Sequence, residues 1–522
     1  MRSLPLAAVL TLGLAVPASA VVQQARPIPT SGPAPSVASY VGKPAVAQPF
    51  PDARPAWANP FMAPNPANGV HNDSWQSDAY TQFSGPMGRA PEAFSSEFGR
   101  TCITLTFDRK GRLEATCTNL TDGPGLYLFD PVSLDILAFR QLPFVPPPAG
   151  TNPATNTTGG AYFFLDDHDR AVIATSDRRI TVIGTNDSGA EPVFEEVAAY
   201  DPTPCLDPED RMPSALPDAK GRYWFVGRAH GSVGVLDPKT GKCGFVVLGE
   251  EIENSFAIGS DGAYVVTDKS LYKLRAGADL MPRVTWSKVY GNIGVQKPGQ
   301  FNAGSGTTPT LIAGFGKKAS RRVAPAYVAI TDNADPMRVV VYRAGDGKVV
   351  CQVPVFAKGA GDTENSIISM GRSLFVENNY GYDIQKFNDV IANNVAIGGD
   401  RSLVSSPGFA RIDIARNGRS CRRAWENDTV RAPSVVPKGV TRTGVIYTFE
   451  NVADPQTPDA DPWYWTALSA RTGKVLWKKL AGWGGQYNNH YAGIALGRHP
   501  VSKATTLYVG GVGGIMALRD GG

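Results

Sequence analysis

Short apolar runs alternate with polar turns along nearly the whole chain after residue 100. One phrase is an apolar strand, a turn centred on Asp or Gly and a second apolar strand; it occurs at residues 101–117, 162–175, 214–227, 255–267 and 366–377. A second phrase has a turn such as Asp237-Pro-Lys-Thr-Gly-Lys242 between its strands; it occurs at residues 235–247, 341–353, 411–425 and 467–479. Both turns are typical of β-hairpins. The pattern therefore predicts a chain of repeated hairpins with no long amphipathic helix.

Aligning the two phrases divides the chain into eight four-stranded units, at residues 101–145, 160–200, 211–250, 254–292, 305–357, 363–428, 431–482 and 488–519. The last unit ends after its third strand, so a closed ring needs a strand from within residues 75–100. We predict an all-β fold, a β-propeller of eight four-stranded blades, with seven blades as the alternative. Residues 21–99 form a Pro/Ala-rich arm and ring-closing segment, and residues 100–522 form the propeller domain.

The first twenty residues have one Arg, an apolar run and Ala18-Ser19-Ala20, which predicts a signal peptide over residues 1–20. The apolar run is too short to span a bilayer, so we expect a secreted or periplasmic protein without a membrane span. The net charge of +4 over 522 residues indicates no nucleic-acid partner. A closed ring leaves no sheet edge for pairing, so we expect a monomer.

The six cysteines suit an oxidising compartment. If Arg109-Lys110 is a two-residue hairpin loop, Cys102 and Cys117 lie directly opposite each other, within disulfide reach. Proximity in sequence then favours the pairs Cys205–Cys243 and Cys351–Cys421. The alternative is that some of the six are buried free thiols.

The phrase Arg471-Thr-Gly-Lys-Val-Leu-Trp477, with the turn at residues 237–242, resembles the repeats of the pyrroloquinoline-quinone-type (quinoprotein alcohol dehydrogenase-like) propeller superfamily. The resemblance implies a propeller blade, and the superfamily includes both quinone-dependent dehydrogenases and cofactor-free scaffolds. The dehydrogenases usually have adjacent cysteines, and no Cys-Cys occurs here. A bound quinone is therefore disfavoured.

We label the four strands of each blade A to D, from the innermost strand outward. Because the strands of a meander alternate in direction, the B–C loops and the D–A connections between blades lie at one end of every blade, here called the mouth. Glu253-Asn254-Ser255 and Glu364-Asn365-Ser366 both precede an innermost strand there. Carboxylate and amide oxygens around one opening are the ligands that Ca²⁺ prefers. We therefore name Glu253, Glu364, Asn254 and Asn365 as candidate metal ligands, and Glu253, Glu364 and His490 as candidate catalytic groups.

Further polar residues predicted at the same end are candidates for binding a polar small molecule or another extracellular ligand: Asp332, Asn333, Glu377, Asn378, Arg431 and Asn489. The alternative is that these side chains cap turns. The function favoured by the sequence is a secreted or periplasmic propeller that binds a polar molecule or a metal ion at the mouth. A metal-dependent hydrolase or lyase, a quinone-dependent dehydrogenase and a protein-interaction scaffold are the alternatives, and whether the protein is an enzyme stays open.

Overall fold

The computed structural model describes residues 23–50, 53–119, 121–147, 152–315, 323–382, 405–499 and 502–521. Eight sheets form the ring, so the predicted all-β propeller with eight blades is confirmed. Among these residues, no helix is long and apolar enough to cross a bilayer. The predicted signal peptide, residues 1–20, lies outside the described residues.

Three strands belong to the arm: β1 (Tyr40–Gly42), β2 (Ala79–Tyr80) and β3 (Glu92–Glu97). The strands of blades 1 to 4 follow in chain order: β4 (Thr101–Phe107), β5 (Leu113–Asn119), β6 (Gly123–Phe129) and β7 (Ile136–Gln141); β8 (Phe163–Leu165), β9 (Ala171–Ala174), β10 (Ile180–Asn186) and β11 (Val193–Tyr200); β12 (Ala215–Pro217), β13 (Tyr223–Val226), β14 (Ser232–Leu236) and β15 (Cys243–Val247); β16 (Ala257–Gly259), β17 (Gly262–Val266), β18 (Ser270–Ala276) and β19 (Pro282–Val289).

The strands of blades 5 to 8 are β20 (Thr310–Ile312), β21 (Tyr327–Thr331), β22 (Arg338–Arg343) and β23 (Val349–Pro354); β24 (Ile368–Met370), β25 (Ser373–Glu377), β26 (Phe409–Ile414) and β27 (Cys421–Asn427); β28 (Lys438–Val440), β29 (Val445–Asn451), β30 (Pro462–Ser469) and β31 (Val475–Trp483); β32 (Ala495–Arg498), β33 (Thr505–Gly511) and β34 (Gly514–Arg519). Short 3-10 helices lie at Pro153–Thr155, Thr203–Cys205 and Gly485–Tyr487.

The ring closes as the sequence predicts. Blade 8 has three strands from the C-terminus, and β3 from the arm pairs antiparallel with β34 as its outermost strand. An early segment and the C-terminal strands therefore pair within one sheet, and this pairing closes the ring.

The recurring turns act as the sequence indicates. In blade 3, the N–H groups of Lys220 and Gly221 donate to the side chain and carbonyl of Asp218, and Gly221 has φ of +77°. The outer hairpin of this blade repeats the arrangement with Asp237 and Gly241, whose φ is +68°. Asp caps each turn and Gly accepts the left-handed backbone, so these residues are structural.

All three predicted disulfides are present: Cys102–Cys117, Cys205–Cys243 and Cys351–Cys421. The assumed two-residue loop is wrong, because Phe107 pairs with Leu113 across a longer turn. A register shift between Cys102 and Thr104 restores the pairing of Cys102 with Cys117. The third disulfide joins the outermost strands of blades 5 and 6. Three disulfides indicate an oxidising environment.

The arm lies inside the ring as well as around it. Strand β1 pairs with β31 on the outside of blade 7, and β2 pairs parallel with the innermost strand β28, so blade 7 has six strands. Between residues 74 and 80, arm carbonyl groups accept hydrogen bonds from the innermost strands of four successive blades, at Ile258, Leu311, Ser369 and Gly439. The arm therefore crosses the central channel.

Candidate functional site

A cavity of about 50 Å³ lies in the channel, between the arm and the connections at the mouth. Tyr162, Asn254 and Glu364 line it from the D–A connections, and His71 lines it from the arm. On the mouth side it is covered by an aromatic cap that we define as Phe301, Tyr382, His490 and Tyr491. The cavity thus lies beneath aromatic side chains and has room for an ion or a few water molecules.

Glu364 is the carboxyl group that lines this cavity. One oxygen accepts the Phe301 N–H at 3.0 Å, and the other lies 3.5 Å from the Asn254 amide nitrogen. Burial raises the pKa of Glu364 well above its usual range, and the charges of Glu253 and Asp362 raise it further. Burial therefore favours the protonated form of Glu364, and a cation beside it would favour the carboxylate.

Asn254 is fixed by its neighbours. Its amide nitrogen donates to the Gly306 carbonyl at 2.8 Å, and its amide oxygen accepts from the Tyr162 hydroxyl at 2.8 Å. These two hydrogen bonds set the orientation of the Asn254 amide beside Glu364.

Glu253 lies beside the cavity and is fully buried. One carboxylate oxygen accepts from Arg228 at 2.8 Å, and the other has no hydrogen-bond partner among the described residues. Burial raises the pKa of Glu253 to about 8, with Glu251 adding to the effect and Arg228 opposing it. Arg228 also contacts Glu251, at 3.3 Å. One arginine therefore serves two carboxylates.

Two more buried carboxyls surround this region. Neither oxygen of Asp362 has a hydrogen-bond partner among the described residues, and burial raises its pKa despite the charge of Lys297. Glu377 accepts from the amides of Asn365 and Asn379, at 2.5 and 3.2 Å, and burial raises its pKa also. Within the described part of the chain, Arg228 with Glu253 is thus the single salt bridge made by Glu253, Glu364, Asp362 and Glu377 to a cation, apart from the longer-range charge of Lys297.

Asn365 lines the cavity, and its amide nitrogen also donates to the Val435 carbonyl at 2.9 Å. Its amide oxygen has no partner among the described residues. The two Glu-Asn-Ser phrases, from blades 4 and 6, thus bring Asn254, Glu364 and Asn365 to one cavity, with Glu253 beside it.

His490 also lines the cavity. One ring nitrogen lies 2.7 Å from the Ala154 carbonyl, and the other lies 3.3 Å from the Tyr382 hydroxyl. Burial lowers its pKa to about 4, so the ring is neutral at pH 7.

The other predicted residues lie away from the cavity lining. Asp332 pairs with Arg338 at 2.7 Å. Asn333 donates to the Val295 and Ala303 carbonyls, which holds the connection that carries Phe301.

Three more of these residues contact backbone groups near the mouth. The Asn378 and Asn489 amides donate to the Ala360 and Gly510 carbonyls, at 2.8 and 2.7 Å. Arg431 is exposed and donates to the Ser405 carbonyl at 3.0 Å.

Sequence reasoning did not select Tyr162, Arg228, Phe301, Asp362 or Tyr491. Tyr162 directly precedes the innermost strand of blade 2, so alignment of the blades places it at the mouth end, where the Glu-Asn-Ser phrases also lie. Arg228 lies in the B–C loop of blade 3, between β13 and β14. Phe301 lies in a connection with no repeat pattern, and its place follows from the tertiary structure alone.

His71, Asp78 and Ser366 form a buried chain of hydrogen bonds. His71 Nδ1 lies 3.1 Å from a carboxylate oxygen of Asp78, and Nε2 lies 3.2 Å from the Ser366 hydroxyl. Asp78 also pairs with the buried Lys438. With Asp78 accepting from Nδ1–H, Nε2 can accept the serine proton, for which the Thr308 carbonyl, also 3.2 Å away, is the other acceptor. A serine, a histidine and a carboxylate in this order are the arrangement of a nucleophile, a base and an orienting group.

Clustered His, Cys, Asp and Glu side chains could form a second type of site. Within the described part of the chain, the single group of three with ligand atoms close enough to share an ion is Asp166, Asp167 and His168, in the A–B turn of blade 2. Asp166 already pairs with Arg170 at 2.6 Å. An ion in the channel would therefore need amide or backbone oxygens besides the carboxylates.

Comparison with known proteins gives the fold. No family model and no curated protein sequence matches the chain. The structure is similar to a quinohemoprotein alcohol dehydrogenase from Pseudomonas putida, with 10% identity, 87% of this chain and 80% of that chain covered, and a TM-score of 0.53. It also matches Sqt1 from Chaetomium thermophilum (12% identity, 85% and 98% covered, TM-score 0.43) and BamB from Moraxella catarrhalis (14% identity, 67% and 93% covered, TM-score 0.35).

The similarity to a quinone-type propeller confirms the resemblance read from the turns at the level of the fold. The cavity of about 50 Å³ is smaller than a tricyclic quinone, and all six cysteines form disulfides between non-adjacent residues. The cavity behind the aromatic cap therefore suits a much smaller occupant than a quinone.

Proposed function

We propose that the protein is a secreted or periplasmic binding propeller that holds one small cation, Ca²⁺, in the small cavity of its channel. The observation that carries this proposal is the state of Glu364. It is buried, lines the cavity and receives a single well-placed N–H, while two other carboxyls raise its pKa. A cation in the cavity would remove the repulsion and the cost of burying the carboxylate.

The ligand set follows from the groups that face the cavity. Glu364 would supply a carboxylate, and the partnerless oxygen of Asn365 would supply an amide ligand. Glu253 contributes charge from beside the cavity. Ca²⁺ accepts mixed carboxylate, amide and water oxygens with variable geometry, which suits such a set better than the fixed octahedron of Mg²⁺.

The test is calorimetric titration of CaCl₂ into chelator-treated protein at pH 8. We expect one ion per chain for the wild type and binding at least tenfold weaker for Glu364→Gln. Glu450→Gln is the matched control, because Glu450 is equally buried but already pairs with Lys478 at 2.9 Å. Equal binding by wild type and Glu364→Gln contradicts the proposal, and loss of binding only on changing Asp167 assigns the ion to the surface turn instead.

A hydrolase is the second candidate function, favoured by the chain of Ser366, His71 and Asp78. The Ser366 oxygen would attack the electrophile while its proton passes to His71 Nε2, and Asp78 would stabilise the resulting imidazolium. The test is labelling by a small alkyl fluorophosphonate, in which the serine oxygen bonds to phosphorus and fluoride leaves.

Mass spectrometry should locate the label on Ser366, and Ser366→Ala should abolish it. Ser214→Ala is the control, since this buried serine contacts another serine, Ser255, at 2.8 Å rather than a histidine. An unlabelled wild type rejects the hydrolase and leaves the hydrogen-bond chain as an anchor for the arm.

A further inference from the structure

A second and larger cavity lies on the other side of the arm. It has a volume of about 200 Å³ and lies between two passes of the arm, residues 54–66 and 68–82. Ala313 and Gly371, which follow the innermost strands of blades 5 and 6, also line it. It therefore lies at the A–B-turn end of the channel, opposite the mouth.

The inner pass is held tightly in place. The carbonyl of Trp75 accepts from the Leu311 N–H at 2.9 Å, and the carbonyl of Ser77 accepts from Ser369 at 2.9 Å. Asn72, Gln76 and Asp78 have φ of 75°, 57° and 52°, a backbone region that non-glycine residues seldom adopt. Such conformations persist only where the surroundings impose them, and they cluster at functional sites.

Three side chains of this pass line the cavity and lack hydrogen-bond partners. Both polar atoms of Asn72, the hydroxyl of Ser74 and the indole nitrogen of Trp75 are unpaired among the described residues. These residues are only 1%, 1% and 4% exposed. A buried polar group without a partner costs about 1–3 kcal/mol. Four such atoms lie within four consecutive residues of the cavity lining, so a ligand with hydroxyl groups would find both donors and acceptors there.

The lining also defines the chemistry of that partner. The apolar part includes Trp57, Met62 and Leu311, and the exposed Arg54 lies at the edge. Both Asp73 oxygens are occupied, accepting from the Trp75 N–H at 2.8 Å and the Ser77 hydroxyl at 2.5 Å. The unpaired groups are therefore neutral, and they include both donors and acceptors.

We propose that this cavity, bounded by the two passes of the arm, binds a neutral polyhydroxy molecule of monosaccharide size. Hydroxyl groups pair with an amide, a hydroxyl and an indole N–H, while the C–H face of a sugar packs on Trp57. Drug-sized ligands occupy about 300–1,000 Å³, so a site of this volume fits a smaller molecule.

The test is tryptophan fluorescence and calorimetry of the full chain with D-glucose, D-galactose, D-mannose and myo-inositol. At least one should bind with a Kd below about 10 mM, on the order of ten times tighter than glucosamine or glucose 6-phosphate. Ser74→Ala should weaken that binding about tenfold without lowering Tm, because it removes a hydroxyl that has no partner among the described residues.

Thr116→Val is the matched control, since the buried Thr116 hydroxyl also lacks a partner among the described residues but belongs to blade 1. Asn72→Gly is a second variant, because glycine accepts the positive φ while removing the amide. The proposal is overturned if none of the four compounds binds, or if Ser74→Ala and Asn72→Gly both bind like the wild type. Binding should persist in Glu364→Gln, so its outcome is independent of the cation in the channel.

Discussion

Replacing Glu253 by Gln should remove a pH-dependent loss of stability. Burial raises the pKa of this carboxyl from 4.5 to about 8 in the folded protein. The folded state therefore binds the proton more tightly than the unfolded state does. The stabilisation is fully present below pH 4.5 and is lost as the pH rises through 8.

The expected magnitude follows from these two values. Between pH 5 and pH 8 the single group withdraws about 3.5 kcal/mol of stability, by proton linkage. Unfolding a chain of this length carries an entropy of roughly 1 kcal/mol per kelvin, so the change corresponds to about 3 °C in Tm. Gln resembles the protonated carboxyl and keeps an oxygen for Arg228, so Glu253→Gln should match the wild type at pH 5 and exceed its Tm at pH 8.

The assay is differential scanning calorimetry of both proteins in EDTA from pH 5 to pH 8. The quantity of interest is the difference in Tm between variant and wild type, because other titrating groups cancel in it. Glu92→Gln is the control: the Glu92 side chain is 58% exposed and pairs with Arg519, far from Glu253 in the sequence, so its difference in Tm should stay constant. A difference for Glu253→Gln that is flat with pH refutes the reasoning, since Glu253 would then be ionised throughout.

Three further predictions concern stability. Lys438→Met should lower the free energy of unfolding by about 3–5 kcal/mol, measured by guanidinium denaturation, because it leaves Asp78 buried without its cation. Adding Asp78→Asn to this variant should restore much of that stability. A loss below about 1 kcal/mol for Lys438→Met contradicts this prediction. Replacing both cysteines of the Cys351–Cys421 pair by Ser should lower the free energy of unfolding by about 4 kcal/mol, against about 3 kcal/mol at Cys102–Cys117. The reason is that the two disulfides close loops of 70 and 15 residues. If Tm falls more for the Cys102–Cys117 variant, loop entropy is not the cause. His490→Gln should reduce the fall in Tm as the pH drops from 6.5 towards 4. Burial lowers the pKa of the ring to about 4, so the neutral ring stabilises the fold above pH 6.5 and this contribution is lost in acid. An unchanged dependence of Tm on pH would show that the ring is solvated.

The blades could be predicted from the sequence because the residues that specify each strand and turn are close together in the chain. The alternation of apolar residues sets the strands, and turns such as Asp218 to Gly221 set the hairpins, each within a few residues. Even the strand missing from blade 8 was expected from an N-terminal segment, and β3 supplies it. The pairing of Cys102 with Cys117 was correct although the loop length was wrong, because a register shift compensates.

The residues of the channel cavity could be predicted from the sequence only in part. Strand alternation places Asn254, Glu364 and Asn365 at one end of the ring, and the structure does bring them to one cavity. The same reasoning gave equal weight to Asp332 and Arg431, which contact other groups. A position at the mouth does not specify whether a side chain points inward or caps its own loop, because that depends on contacts between blades.

The sequence by itself determined the β-propeller, its eight units, its ring closure and the Cys102–Cys117 pair, because repeated local patterns and hairpin geometry are enough to specify them. Proximity in the sequence favoured the other two disulfides, and the tertiary structure established them. The tertiary structure alone decided the path of the arm through the channel, the aromatic cap over Glu364 and the two cavities on either side of the arm. These depend on contacts between residues far apart in the chain, such as His71 with Ser366. No local period encodes such contacts, and the burial they produce is what shifts the pKa values of the channel carboxyls.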